Sequence, residues 1–116
     1  MIRKKGAHRV EIREKMVGGL GNTELRHILE KDEMGGHGRL FAVNVLQPGC
    51  SIGWHVHKGE YEVYHMLWGE AVYEDSDHSR TVMKPGDTSL IENGGGHAIA
   101  NESDKEAAFL AVVLFA

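Results

Sequence analysis

The chain has 116 residues, room for one domain around one core, and its 41% hydrophobic and 26% charged residues are the balance of a folded globular protein rather than a disordered one. A net charge of -4, with Arg3-Lys4-Lys5 as a short basic run that reads as a solvated terminus, argues against a nucleic-acid partner. No apolar stretch approaches the ~20 residues that cross a bilayer and no apolar leader opens the chain, so no membrane partner is expected, and the single cysteine, Cys50, excludes an internal disulfide and fits a reducing cytoplasm.

Fifteen glycines punctuate the sequence, and turn signals recur at the spacing of a sandwich or barrel of short strands. The first strand is expected over 9–14. Gly18-Gly19 and Gly21-Asn22 then turn the chain into 24–29. Leu25, Ile28 and Leu29 would also share one face of a helix over 24–31 capped by Thr23, but glycine and asparagine just before it fit a hairpin equally well, and we read strand. Gly35-Gly36 precedes a strand over 39–46, and Pro48-Gly49 precedes one over 52–57. Lys58-Gly59 leads into a long strand over 62–73, closed by Asp75-Ser76-Asp77. Strands over 81–84 and 88–91 flank Pro85-Gly86; another over 97–101 follows Gly94-Gly95-Gly96. After Glu102-Ser103-Asp104 the run 107–115 is apolar throughout, which asks for cover on both faces, as a central strand or one at a subunit interface.

The chemistry concentrates between Gly49 and Gly69. Alternate side chains of a strand share a face, so His55 and His57 point the same way. After the Lys58-Gly59 turn, Glu62, Tyr64, Met66 and Trp68 fall on one face of the next strand. A hairpin register that sets Glu62 beside the two imidazoles would bring three metal ligands together, and His97 would complete the set. A lone His-x-His is more often ordinary surface or core histidine, so the spacing alone leaves both readings open.

The glycines on either side carry the argument further. Gly49, His55, His57, Glu62 and Gly69 resemble the first cupin motif, G-x5-H-x-H-x4-E-x6-G, position by position. Gly86, Gly94, His97 and Asn101 resemble the second, G-x5-P-x-G-x2-H-x3-N, with Glu92 where that motif has proline. The resemblance spans roughly 39–115. It implies an all-β double-stranded β-helix, a jelly-roll barrel forming a single cupin domain over 1–116, with the motif-bearing barrel at 39–116 and N-terminal strands at 1–38 lying at a homodimer interface. It also implies one divalent metal ion on His55, His57, Glu62 and His97. Three imidazoles and a carboxylate suit manganese, iron, nickel, cobalt, copper or zinc better than calcium or magnesium, and octahedral geometry would leave two positions for a chelating ligand.

Fold and metal together do not select a reaction. The run from Arg39 to Asn44, the stretch 48–55 and Gly18-Gly-Leu-Gly21 are similar to small bacterial cupins of the oxalate decarboxylase-like group. That resemblance implies a small carboxylate ligand and a manganese- or iron-dependent decarboxylase or dioxygenase. A sugar isomerase or epimerase and a non-catalytic binding protein are the alternatives. Glu60, Tyr64 and Glu92 are the expected proton carriers, each with an ordinary reading as a solvated carboxylate or a core aromatic. Arg39, Asn44 and Met66 are the expected substrate contacts, with Phe41, Tyr64 and Trp68 as further cavity lining. His8, His27, His37, His65 and His78 lack partners at ligand spacing and read mostly as surface residues.

Overall fold

The computed structural model describes residues 1–116. In chain order its strands are β1 (Val10–Glu14), β2 (Asn22–Leu29), β3 (Gly38–Leu46), β4 (Ser51–Val56), β5 (Glu60–Trp68), β6 (Ala71–Glu74), β7 (Arg80–Met83), β8 (Thr88–Ile91), β9 (Gly96–Ala100) and β10 (Ala107–Phe115). They form a six-stranded sheet, ordered β1-β2-β3-β10-β5-β8, and a four-stranded sheet, ordered β4-β9-β6-β7. Every pairing is antiparallel. This is the all-β barrel that the motifs imply.

Period-two alternation decides which side chains face inward. In β10, Phe109, Ala111 and Val113 are fully buried while Leu110, Val112 and Leu114 between them stay half-exposed. β10 is central, as its apolar run suggests, yet only its inner face is covered within the chain. The core it joins holds Leu25, Ile52, Tyr64, Met66, Ile91 and Ile99, drawn from both sheets. Each such burial contributes about 1.5–3 kcal/mol before entropy is counted.

Segment 22–29 is a strand, not a helix, because β1 and β3 take its backbone groups on both sides. The expected single strand over 62–73 is two. Gly69, at φ +72°, turns the chain from one sheet to the other, and a Cβ there would sit 2.2 Å from the Glu106 carbonyl oxygen. Nor do β4 and β5 form a hairpin: the Lys58-Gly59 turn carries the chain across the barrel, so the two strands lie in facing sheets. Short 3₁₀ turns at Met16–Gly18 and Lys31–Met34, unmarked in the sequence reading, complete the chain, the second closed by reciprocal bonds between Glu30 and Glu33.

Candidate metal centre

The strands bring His55, His57, Glu62 and His97 to one point. On β4 a bulge after Ile52 lets Trp54 swing outward while His55 faces the interior, directly opposite His97 on β9. Their Nε2 atoms are 3.1 Å apart. His57 follows just past the end of the same strand, its Nε2 3.3 Å from that of His97. Glu62 arrives from β5 in the facing sheet, with Oε1 3.0 Å from the Nε2 atoms of both His57 and His97 and 3.7 Å from that of His55. All four ligand atoms lie within 4.8 Å of one another. His57, Glu62 and His97 are buried; the His55 side chain, 17% exposed, forms the open rim.

The Nδ1 partners show what the cluster is suited to hold. His55 Nδ1 lies 2.8 Å from the Gly53 carbonyl oxygen, and His57 Nδ1 lies 2.7 Å from Glu60 Oε1. A carbonyl and a carboxylate only accept, so both imidazoles donate from Nδ1, which leaves Nε2 as the atom each can offer to an ion. Nitrogens about 3 Å apart beside a carboxylate need positive charge among them, either an ion or protons on the rings, and bonding to Glu62 first and Glu60 after it accordingly raises His57 above its ordinary value. Ligand atoms about 2.1 Å from one ion stand about 3.0 Å apart at a right angle, which fits the closest of these separations. Burial pushes the Glu62 carboxyl up, but bonds with the three imidazoles outweigh it and hold the group well below the usual carboxylate range. The residues therefore fit a divalent transition ion.

Around this cluster the other expected site residues sort by place. Glu60 is fully engaged: Arg39 grips both its oxygens at 2.6 and 2.7 Å, and His57 takes Oε1 as well. The Arg39 bond is the larger cause, with His57 adding to it, of a Glu60 carboxyl pulled down to about 2. Tyr64 stacks on His97, ring centroids 4.8 Å apart, and burial, then the nearby Glu62 charge, push its phenol well above 10. Glu92 lies exposed in the turn before β9. Asn44 and Met66 both pair with Phe109 in β10, whereas Glu62 pairs with Val113, so these two buried side chains sit deeper in the barrel, beyond the Tyr64 layer. The Trp68 indole is 39% exposed and donates to Glu106, and Phe41 alternates with inward Leu40 and Ala42 onto the outer face. His27, expected at the surface, is buried, its Nε2 2.8 Å from Glu11. The motif asparagine, Asn101, holds a turn by donating to the carbonyls of Leu46 and Lys105.

One residue the sequence reading missed is Tyr73. Its hydroxyl lies 2.9 Å from His97 Nδ1, from the inward face of β6. Alternation with buried Ala71 was the available signal, hidden by the unbroken run 62–73.

A family model described as "Cupin domain" matches residues 42–113. The chain is 40% identical over 99 residues to the oxalate-binding protein of Thermotoga maritima, an alignment covering 85% of this chain and 81% of that protein. It superposes with a TM-score of 0.94 and 36% identity on the crystal structure of a T. maritima protein described as a predicted oxalate decarboxylase, with 100% of both chains covered. The polyketide cyclase RemF of Streptomyces resistomycificus matches with a TM-score of 0.78 at 20% identity, over 98% of this chain and 80% of that one, a likeness of fold alone.

Proposed function

The chain belongs to the cupin family, and from that premise we propose that it holds one divalent metal ion, manganese or iron, on His55, His57, Glu62 and His97, and acts there on a small carboxylate such as oxalate. The observation that carries this reading is the inward convergence of three Nε2 atoms and one carboxylate oxygen within 4.8 Å. The oxalate-binding relative supports the ligand class. Charge supports it too: a divalent ion against the single Glu62 anion keeps a net positive charge that favours an anionic ligand. A manganese or iron ion supplies Lewis acidity toward a carboxylate oxygen and one-electron exchange.

The protein's own groups divide the remaining work. The buried imidazoles and Glu62 hold position, while the exposed edge of His55 is where a ligand approaches. Tyr64, stacked against His97, is the residue we assign to carry a proton. Glu60, bound on both oxygens, orients His57 instead. That commitment favours a second reading, a carboxylate-binding protein without turnover.

Elemental analysis of protein purified without chelator, from cells supplied with manganese, iron, cobalt, nickel and zinc, tests the metal. About one manganese or iron per chain is expected. Oxalate is then titrated calorimetrically and its consumption followed: binding with turnover supports the enzyme, binding alone supports the second reading, and no metal under any supply sinks both.

We also infer a homodimer. Phe41, Val112, Val63 and Leu90 form a continuous apolar row across β3, β10, β5 and β8 on the outer face of the large sheet, a surface suited to a second copy. A monomeric mass by light scattering at micromolar concentration would refute it. The single unpaired Cys50 fits the reducing cytoplasm in which we place the protein.

A further inference from the structure

Each imidazole of the cluster is bonded through Nδ1 to a different kind of group: the Gly53 carbonyl for His55, the Glu60 carboxylate for His57 and the Tyr73 hydroxyl for His97. The first two partners accept and do nothing else. A phenol both donates and accepts. If Tyr73 gives its hydrogen to His97 Nδ1, the imidazole proton sits on Nε2, pointing into the cluster, and His97 is no ligand. If that hydrogen is drawn elsewhere, Tyr73 Oη accepts from Nδ1 and the Nε2 lone pair is freed. The tautomer of His97 therefore depends on what lies beyond Tyr73.

Beyond it lies the seam where the two sheets part. A cleft of about 350 Å³ opens between the edge strands β7 and β8, lined by Tyr73, Thr81, Thr88 and Ser89, with Asp75 and Asp87 at its acidic margin. Ser89 is on β8, paired with Tyr64, and its buried Oγ has no hydrogen-bond partner. The two hydroxyls share this cleft without being hydrogen-bonded to each other in this structure, and the unused Ser89 Oγ is the acceptor the phenolic hydrogen could be given. His97 itself cannot escape the arrangement: it is fully buried, flat against Tyr64 at 4.8 Å and edge-on to Tyr73 at 5.5 Å.

We propose that Tyr73 and Ser89 are a positioning pair: when an ion is taken up, Ser89 turns to take the Tyr73 hydroxyl hydrogen, so that Tyr73 accepts from His97 Nδ1 and commits His97 Nε2 to the metal. The pair touches neither ion nor ligand. It gives the site a control point on the side of the barrel away from the His55 rim, and it rests on the metal-centre reading above.

The test uses zinc, whose diamagnetism leaves imidazole resonances visible. Zinc affinity is measured by competition with a chromophoric chelator for the parent, Tyr73→Phe and Ser89→Ala, and long-range ¹H–¹⁵N correlation follows each ring. In the parent, His97 coordinates through Nε2 with an Nδ1 proton slow to exchange. Tyr73→Phe weakens zinc binding about 10–100-fold and exposes that proton to exchange, while His55 and His57 keep their signals. Ser89→Ala shifts the His97 signal alone and weakens binding by a smaller factor. Equal affinity in all three proteins, or coordination of His97 through Nδ1, overturns the proposal. Should Tyr73→Phe fail to fold, Ser89→Ala decides: unchanged affinity with an unchanged His97 signal overturns it. A parent that takes no zinc overturns the metal centre itself, a result distinct from the others.

Discussion

His97 and His27 are both buried, and each meets a glutamate, at 3.0 Å from Glu62 and 2.8 Å from Glu11. Their surroundings differ in what completes the charge. Arg13 binds Glu11 at 2.9 Å and Arg9 approaches at 3.3 Å, so the His27 group is already compensated by guanidinium. Glu62 pairs with histidines alone, since the nearby Arg39 is spent on Glu60. Burial of a histidine beside a carboxylate is thus not what marks a metal centre. Convergence of several imidazoles on one carboxylate, with no lysine or arginine to balance it, is.

The contrast breaks most visibly by removing one donor from each group. His55→Ala should drop metal content from about one ion per chain to near none, while far-UV circular dichroism stays largely unchanged, because His55 stands at the partly exposed rim. His27→Gln should leave metal content as it was. Elemental analysis of both variants checks this, and full metal retention in His55→Ala would remove that residue from the ligand set.

A finer cut separates ligand from support. Glu60→Gln keeps a group near His57 Nδ1 but removes the charge, and metal affinity should fall about 10–100-fold. Arg39→Ala acts one step further out, through Glu60, and should cost only a few-fold. Competition titrations rank the two; a larger loss in Arg39→Ala would mean that Arg39 reaches the ligand directly.

What could be read beforehand follows the same division between local and crossing contacts. The four clustered residues were legible through the cupin-motif spacing, and the motif glycines because their constraint is local: Gly49, Gly69, Gly86 and Gly94 all adopt positive φ. The switch of sheets between β4 and β5 was not, because inward alternation looks the same in a hairpin and in a crossover. Trp68 leaves the inner face through a register shift opposite Ala108 and Phe109, which no β5 residue announces. Glu60 read as a free acid since its partner Arg39 lies 21 residues away. Tyr73 and the buried His27 were hidden likewise, by contacts between strands distant in sequence.

His27→Gln sharpens the comparison from the other side. Losing the 2.8 Å bond to Glu11 should cost about 1 kcal/mol of stability, read from urea denaturation of the chelator-treated protein. Metal affinity should not change. A change would mean that the two histidine groups are coupled through β2 and β3.

The smallest effect concerns pH. Bonding to Arg13 first and His27 second pulls the Glu11 carboxyl from 4.5 down to about 2. A carboxyl depressed in the folded state binds its proton more readily when unfolded, so its contribution is complete above about 4.5 and is lost as pH falls through about 2. The groups facing it are Arg13 and His27 with Arg9 beyond. Melting temperatures measured from pH 6 to pH 2.5 on chelator-treated protein should therefore fall more steeply in the parent than in Glu11→Gln, the two curves closing toward the acid end. Other depressed carboxyls, Glu60 among them, are common to both proteins and cancel in the difference. Parallel curves would show that Arg13 and His27 hold Glu11 no better folded than unfolded, and the guanidinium compensation that sets the His27 group apart from the metal centre would lose its energetic basis.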